Sequence, residues 1–62
     1  MGIAEMTWME GYCIGWGARN ENNTLNQAID ILHMHGKREQ RIEDGVVLGW
    51  EDRDIELTLE MS

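Results

Sequence analysis

At 62 residues, with a net charge of −7 and 42% hydrophobic residues, the chain has the length of one domain. A domain of this size hides only about 60% of the surface its unfolded chain exposes, which leaves little volume for an enclosed catalytic pocket. Twelve acids against five bases disfavour direct contact with nucleic acid or an anionic membrane and point instead to a basic partner.

The stretch from Met1 to Met6 has neither the basic region nor the apolar run of a signal peptide. Nor does any stretch approach the roughly 20 apolar residues needed to span a bilayer. Cys13 is the one cysteine, so no intramolecular disulfide can form, and a reducing, cytoplasmic setting is expected.

From Ile3 to Ala18 the chain is rich in Thr, Trp, Tyr, Ile and Cys, with glycines interspersed, and this composition predicts strand. Either Glu10-Gly11 turns a hairpin between strands 3–9 and 12–18, or Gly11 is a bulge in one longer strand. Residues Arg19 to Asn23 read as a polar loop. Thr24, with Gln27 three positions later, matches a capping box, and Leu25, Ala28, Ile29 and Leu32 recur at helical spacing. A helix is therefore predicted from Thr24 to His35, ended by Gly36.

Beyond it, Asp44-Gly45 is a hairpin signal between residues 37–42 and 46–50. Residues 54–61 alternate, with Ile55, Leu57, Leu59 and Met61 on one side and Asp54, Glu56, Thr58 and Glu60 on the other, which predicts a half-buried strand. No proline, low-complexity linker or internal repeat is read, so one domain is expected over 1–62. Its class is α+β: a small antiparallel sheet of four to five strands on a single helix, in the order β(β)-α-β-β-β.

Three kinds of chemistry are weighed and set aside. Cys13, His33 and His35 are too few and wrongly spaced for a metal centre, because residues two apart on a helix point in nearly opposite directions; no metal and no cofactor are expected. A nucleophilic Cys13 would need one of those histidines as its base, and a small buried thiol is the simpler reading. The glycines near the amino terminus lack the strand-to-helix context and following lysine of a phosphate loop. The chain is accordingly not expected to be an enzyme.

Charge placement carries the functional expectation. Residues 43–62 hold seven acids against Arg53 alone, and the predicted last strand would set Asp54 and Glu56 about 6.8 Å apart in a row, with Asp52 before them and Glu60 beyond. Such a row could imitate DNA phosphates. Glu51, Asp52, Asp54, Glu56 and Glu60, with Trp50 as the tryptophan expected to be exposed, form the candidate partner-binding surface. The expected role is a small acidic inhibitor or modulator of a basic nucleic-acid-binding protein, of the phage anti-defence or host-takeover type that includes anti-CRISPRs. The alternative is a homo-oligomeric assembly module using an edge strand and a Trp/Met patch. Lys37, Arg38 and Arg41 are read as structural, near the helix end.

Overall fold

Three helices and no strand make up the described residues of the computed structural model, which run from 3 to 61; Met1, Gly2 and Ser62 lie outside them. Helix α1 is Ile3–Asn20, α2 is Leu25–Met34 and α3 is Gln40–Met61. The expected α+β fold with its antiparallel sheet is thereby overturned. Of the expected elements only the central helix stands, and it stands closely. Thr24 is its N-cap, the Thr24 hydroxyl accepts from the Gln27 amide at 3.1 Å, and the Gln27 side chain accepts from the Thr24 amide at 2.7 Å.

Both loops are closed by the chain's own backbone. Gly36, at φ +76°, lets the Lys37 and Gly36 amides turn back onto the Leu32 and His33 carbonyls at the end of α2. At the end of α1, Asn22 takes the same left-handed role at φ 67°, and the Asn23 and Asn22 amides reach the Ala18 and Arg19 carbonyls. The polar loop expected from Arg19 therefore starts two residues later, because a helix closed this way keeps its carbonyls satisfied up to the cap.

The strands expected within 3–18 and at 37–42 and 46–50 fail for one shared reason. Gly11, Gly15, Gly45 and Gly49 read locally as turns, bulges or strand breaks, yet they sit where α1 and α3 cross. A Cβ built on Gly11 would overlap the Ile42 carbonyl, and one on Gly15 the Val46 carbonyl. In return, a Cβ on Gly45 or Gly49 would lie 2.9 Å from the backbone nitrogen of Tyr12 or Trp16, respectively, and would overlap the Trp8 or Tyr12 carbonyl. Only hydrogen fits in these four places. Backbone against backbone brings many atoms into van der Waals range, offsetting the roughly 1 kcal/mol that each helical glycine costs relative to alanine.

The partners advance together along both helices, Gly11 meeting Ile42 and Gly15 meeting Val46, so α1 and α3 run parallel, with α2 as the returning segment between them. The contacts are also reciprocal. Residues 10–20, Glu-Gly-Tyr-Cys-Ile-Gly-Trp-Gly-Ala-Arg-Asn, match 44–54, Asp-Gly-Val-Val-Leu-Gly-Trp-Glu-Asp-Arg-Asp, at an offset of 34. Arg53 lies over the Trp16 ring at 4.7 Å and Arg19 over Trp50 at 5.6 Å. Arg19 Nε bonds Asp54 at 2.8 Å and Arg53 Nε bonds Asn20 at 3.1 Å, again equivalent positions. The two helices share a short repeated pattern, identical at its two glycines, its tryptophan and its arginine, and pack about an approximate two-fold, in the way that i meets j and j meets i in a symmetric dimer. The reading that there is no internal repeat is corrected.

The core is small. Leu32 and Val46 are fully buried, joined by Ala18, Ala28 and Ile42, with Ile14, Leu25, Ile29 and Trp50 packed around them. The predicted apolar stripe of α2 supplies its share of this core as expected. Residues 55–61 do not become a strand face: their alternation is wound onto α3, which scatters Ile55, Leu57, Leu59 and Met61 around the helix and leaves all but Leu57 exposed.

Candidate functional site

The face of the α1/α3 pair turned away from α2 carries two rows side by side. Trp8, Tyr12 and Trp16 recur every four residues on α1, and Asp52, Glu56 and Glu60 recur every four residues on α3, so each row climbs about 6 Å per step. The rows are joined. Tyr12 donates its phenol proton to Asp52 at 2.6 Å and Trp16 Nε1 donates to Glu56 at 2.9 Å. Trp8 and Tyr12 stack at 5.4 Å between ring centroids. Leu48, Ile55 and Leu59 edge the acidic row, and all three are exposed.

Asp52 also changes its neighbour. Accepting the phenol proton and standing beside it as a negative charge, it holds the Tyr12 hydroxyl above its ordinary pKa of 10.0, with a further contribution from Glu56. Arg53 is tucked between the helices, over Trp16, and its guanidinium pairs with Glu56 at 3.9 Å and Glu60 at 3.7 Å, so it offsets part of the charge of the row and leaves Asp52 without an arginine among the described residues. An aromatic row beside carboxylates is suited to a cationic or partly apolar ligand: the ring faces attract cations and the acids accept their hydrogen bonds.

The six residues expected to bind a partner are divided by the helix. Asp52, Glu56 and Glu60 fall in the row just described. Asp54 turns to the α2 side and pairs with Arg19 at 2.8 Å. Glu51 is exposed on the part of α3 away from both other helices. Trp50, expected to be the exposed tryptophan, is half-buried, its Nε1 donating to the Asn23 carbonyl at 2.8 Å; Trp8 is the exposed one. The even 6.8 Å strand spacing is lost with the strand, and the acids two apart that it would have aligned lie on different sides of α3.

Other expectations are placed as plainly. Cys13, read as a small buried thiol, is exposed on α1. His33 is engaged with Glu43 at 2.7 Å, tying α2 to α3, and His35 caps the end of α2. No three His, Cys, Asp or Glu side chains converge on a metal-sized site among the described residues. Lys37 pairs with Glu10 of α1, beside a shallow pocket of about 290 Å³ that Arg38 and Glu39 also line.

Tyr12 and Trp16 were not legible as site residues from a strand pattern. Aligning the chain with itself at the 34-residue offset would have singled out Tyr12, which it pairs with Val46, and Asp52, which it pairs with Ala18, but not Trp16, whose counterpart Trp50 is identical.

The small-residue spacing of α1 and α3 also serves membrane helix pairs, but no helix among the described residues is long and apolar enough to cross a membrane. Comparison with known protein families, curated proteins and solved structures finds no match for this chain.

Proposed function

We propose that this protein is a small acidic binding protein, without chemistry of its own, that inhibits or modulates a basic nucleic-acid-binding partner in the cytoplasm. The observation that supports this reading is the row of Asp52, Glu56 and Glu60 on an aromatic backing, three acids met among the described residues by the single cation Arg53. Those carboxylates can meet the lysines and arginines that a nucleic-acid-binding protein sets out for phosphates, and a net charge of −7 steers the encounter. The anti-defence inhibitor remains the type of role this describes; the strand-based phosphate track is replaced by a helical row.

Capture of basic proteins from a host lysate tests it. Reversing Asp52, Glu56 and Glu60 to lysine abolishes capture, while Glu51→Lys, on another part of α3, weakens it only modestly. Wild-type capture falls steeply with added salt. Unchanged capture by the triple variant, with circular dichroism showing retained helix, sinks the reading. A homo-oligomeric module is the second reading; the edge strand it relied on is absent among the described residues, and it is favoured by the exposed Trp8, Met9, Leu48 and Ile55.

A further inference from the structure

The approximate two-fold that relates α1 to α3 gives the pair two equivalent grooves. In one of them lies α2, seated on Ile14 and Ala18 of α1 and on Ile42, Val46 and Trp50 of α3. Exchanging the copies at the 34-residue offset carries that seat onto Leu48 and Asp52 of α3 and Trp8, Tyr12 and Trp16 of α1. This second groove holds no helix among the described residues. Its apolar members show it: Trp8 is 36% and Leu48 43% exposed, with Ile55, about two turns beyond Leu48 on α3, at 57%, whereas Val46 and Ile42 in the occupied groove are 0% and 5%.

The two seats differ in charge. Where α2 rests on Ala18, the open groove has Asp52, and it is bordered further along by Glu56, which accepts from Trp16 and is only loosely met by Arg53 at 3.9 Å. A helix shaped like α2 would therefore fit the open groove only if it carried bases along the edge that meets those acids. A second copy of this chain is a poor candidate: α2 contains no lysine or arginine, and the copy would bring another −7 of like charge.

We propose that the open groove receives an amphipathic, basic helix of the partner, about three turns long, lying against α1 and α3 as α2 does on the opposite side. Its apolar stripe covers Trp8, Leu48 and Ile55, and its lysines or arginines meet Asp52 and Glu56. This rests on the reading of a basic partner given above, and adds to it the partner's secondary structure and its seat.

The probes are two synthetic peptides of identical leucine and lysine composition, one arranged with helical periodicity and one scrambled so that no face is apolar. Titration of the intact protein is followed by tryptophan fluorescence, peptide helicity by circular dichroism, and stoichiometry by sedimentation. The amphipathic peptide is expected to bind one to one, to gain helix, and to bind at least about tenfold more tightly than the scrambled one. Leu48→Gln with Ile55→Gln, both at exposed positions, should remove that preference and leave the protein's own helical signal unchanged. Equal affinity for the two peptides overturns the groove yet leaves the charge-based reading intact, since both peptides are equally basic. A preference that survives the double substitution, binding of neither peptide, or a dimer of the protein that excludes the peptide each overturns it as well. Failure of the charge-based reading shows separately, as lysate capture that survives lysine at Asp52, Glu56 and Glu60.

Discussion

Arg53 holds its guanidinium 4.7 Å from the centre of the Trp16 ring while its Nε donates to Asn20 at 3.1 Å. The arginine of one repeat is thus clamped by the tryptophan and the loop-entry residue of the other. Its counterpart Arg19 lies at 5.6 Å from Trp50 and bonds Asp54. A double-mutant cycle with Arg53→Met and Trp16→Leu should return a coupling of about 0.5–1 kcal/mol in chemical denaturation, the range for a partly exposed cation–π pair. Simple additivity would show that the stacking is incidental.

The crossing glycines offer a prediction of opposite signs from the same chemical change. Gly15→Ala forces a methyl into the Val46 carbonyl and should destabilise by about 1–3 kcal/mol or more. At Gly17 nothing lies within 4 Å of the added Cβ, so Gly17→Ala should stabilise by roughly 0.5–1 kcal/mol through helix propensity alone. Thermal midpoints of the two variants, read against the wild type, decide it; a stabilising Gly15→Ala would contradict the parallel packing.

Thr24 anchors α2, the helix laid across the α1/α3 pair. Thr24→Ala removes the hydroxyl acceptor of the Gln27 amide and should cost about 1 kcal/mol, whereas Thr24→Ser should cost little. Urea midpoints check both, and equal loss from serine and alanine would mean that the cap is not the cause.

Tyr12 is the only tyrosine, so its ionisation can be read directly from tyrosinate absorbance. Its hydroxyl is held above 10.0 by Asp52, and Asp52→Asn should bring it down toward that value. The sign for stability follows. A folded-state pKa above the unfolded one means that the Tyr12–Asp52 contribution is fully present below pH 10.0 and is lost as pH rises through the higher folded value. The Asp52→Asn variant should therefore lose this alkaline dependence; an unchanged titration would place the cause elsewhere.

Of the three helices, α2 was the one written locally. Its cap, its apolar stripe and its terminating Gly36 all lie within a dozen neighbouring residues, and hydrogen bonds three or four positions apart reward that arrangement wherever the segment sits. The concentration of acid in the last third was equally plain, because charge adds without regard to fold. Asp52, Glu56 and Glu60 could be named from it, but not their grouping, which needed the helical period to separate them from Glu51 and Asp54.

The rest was decided between segments far apart in the chain. Glycine is a poor helix former by itself, so Gly11 and Gly45 argued for turns, and Gly15 and Gly49 for strand, until a second helix stood close enough to make a side chain impossible there. The repeated pattern at 10–20 and 44–54 was present in the sequence, yet its meaning depends on the two helices meeting face to face. The acidity of this small domain belongs to the sequence. Which acids stand beside aromatic rings, and which groove is left open to a partner, was set by tertiary packing, because α2 can cover one side of a two-sided pair and not both.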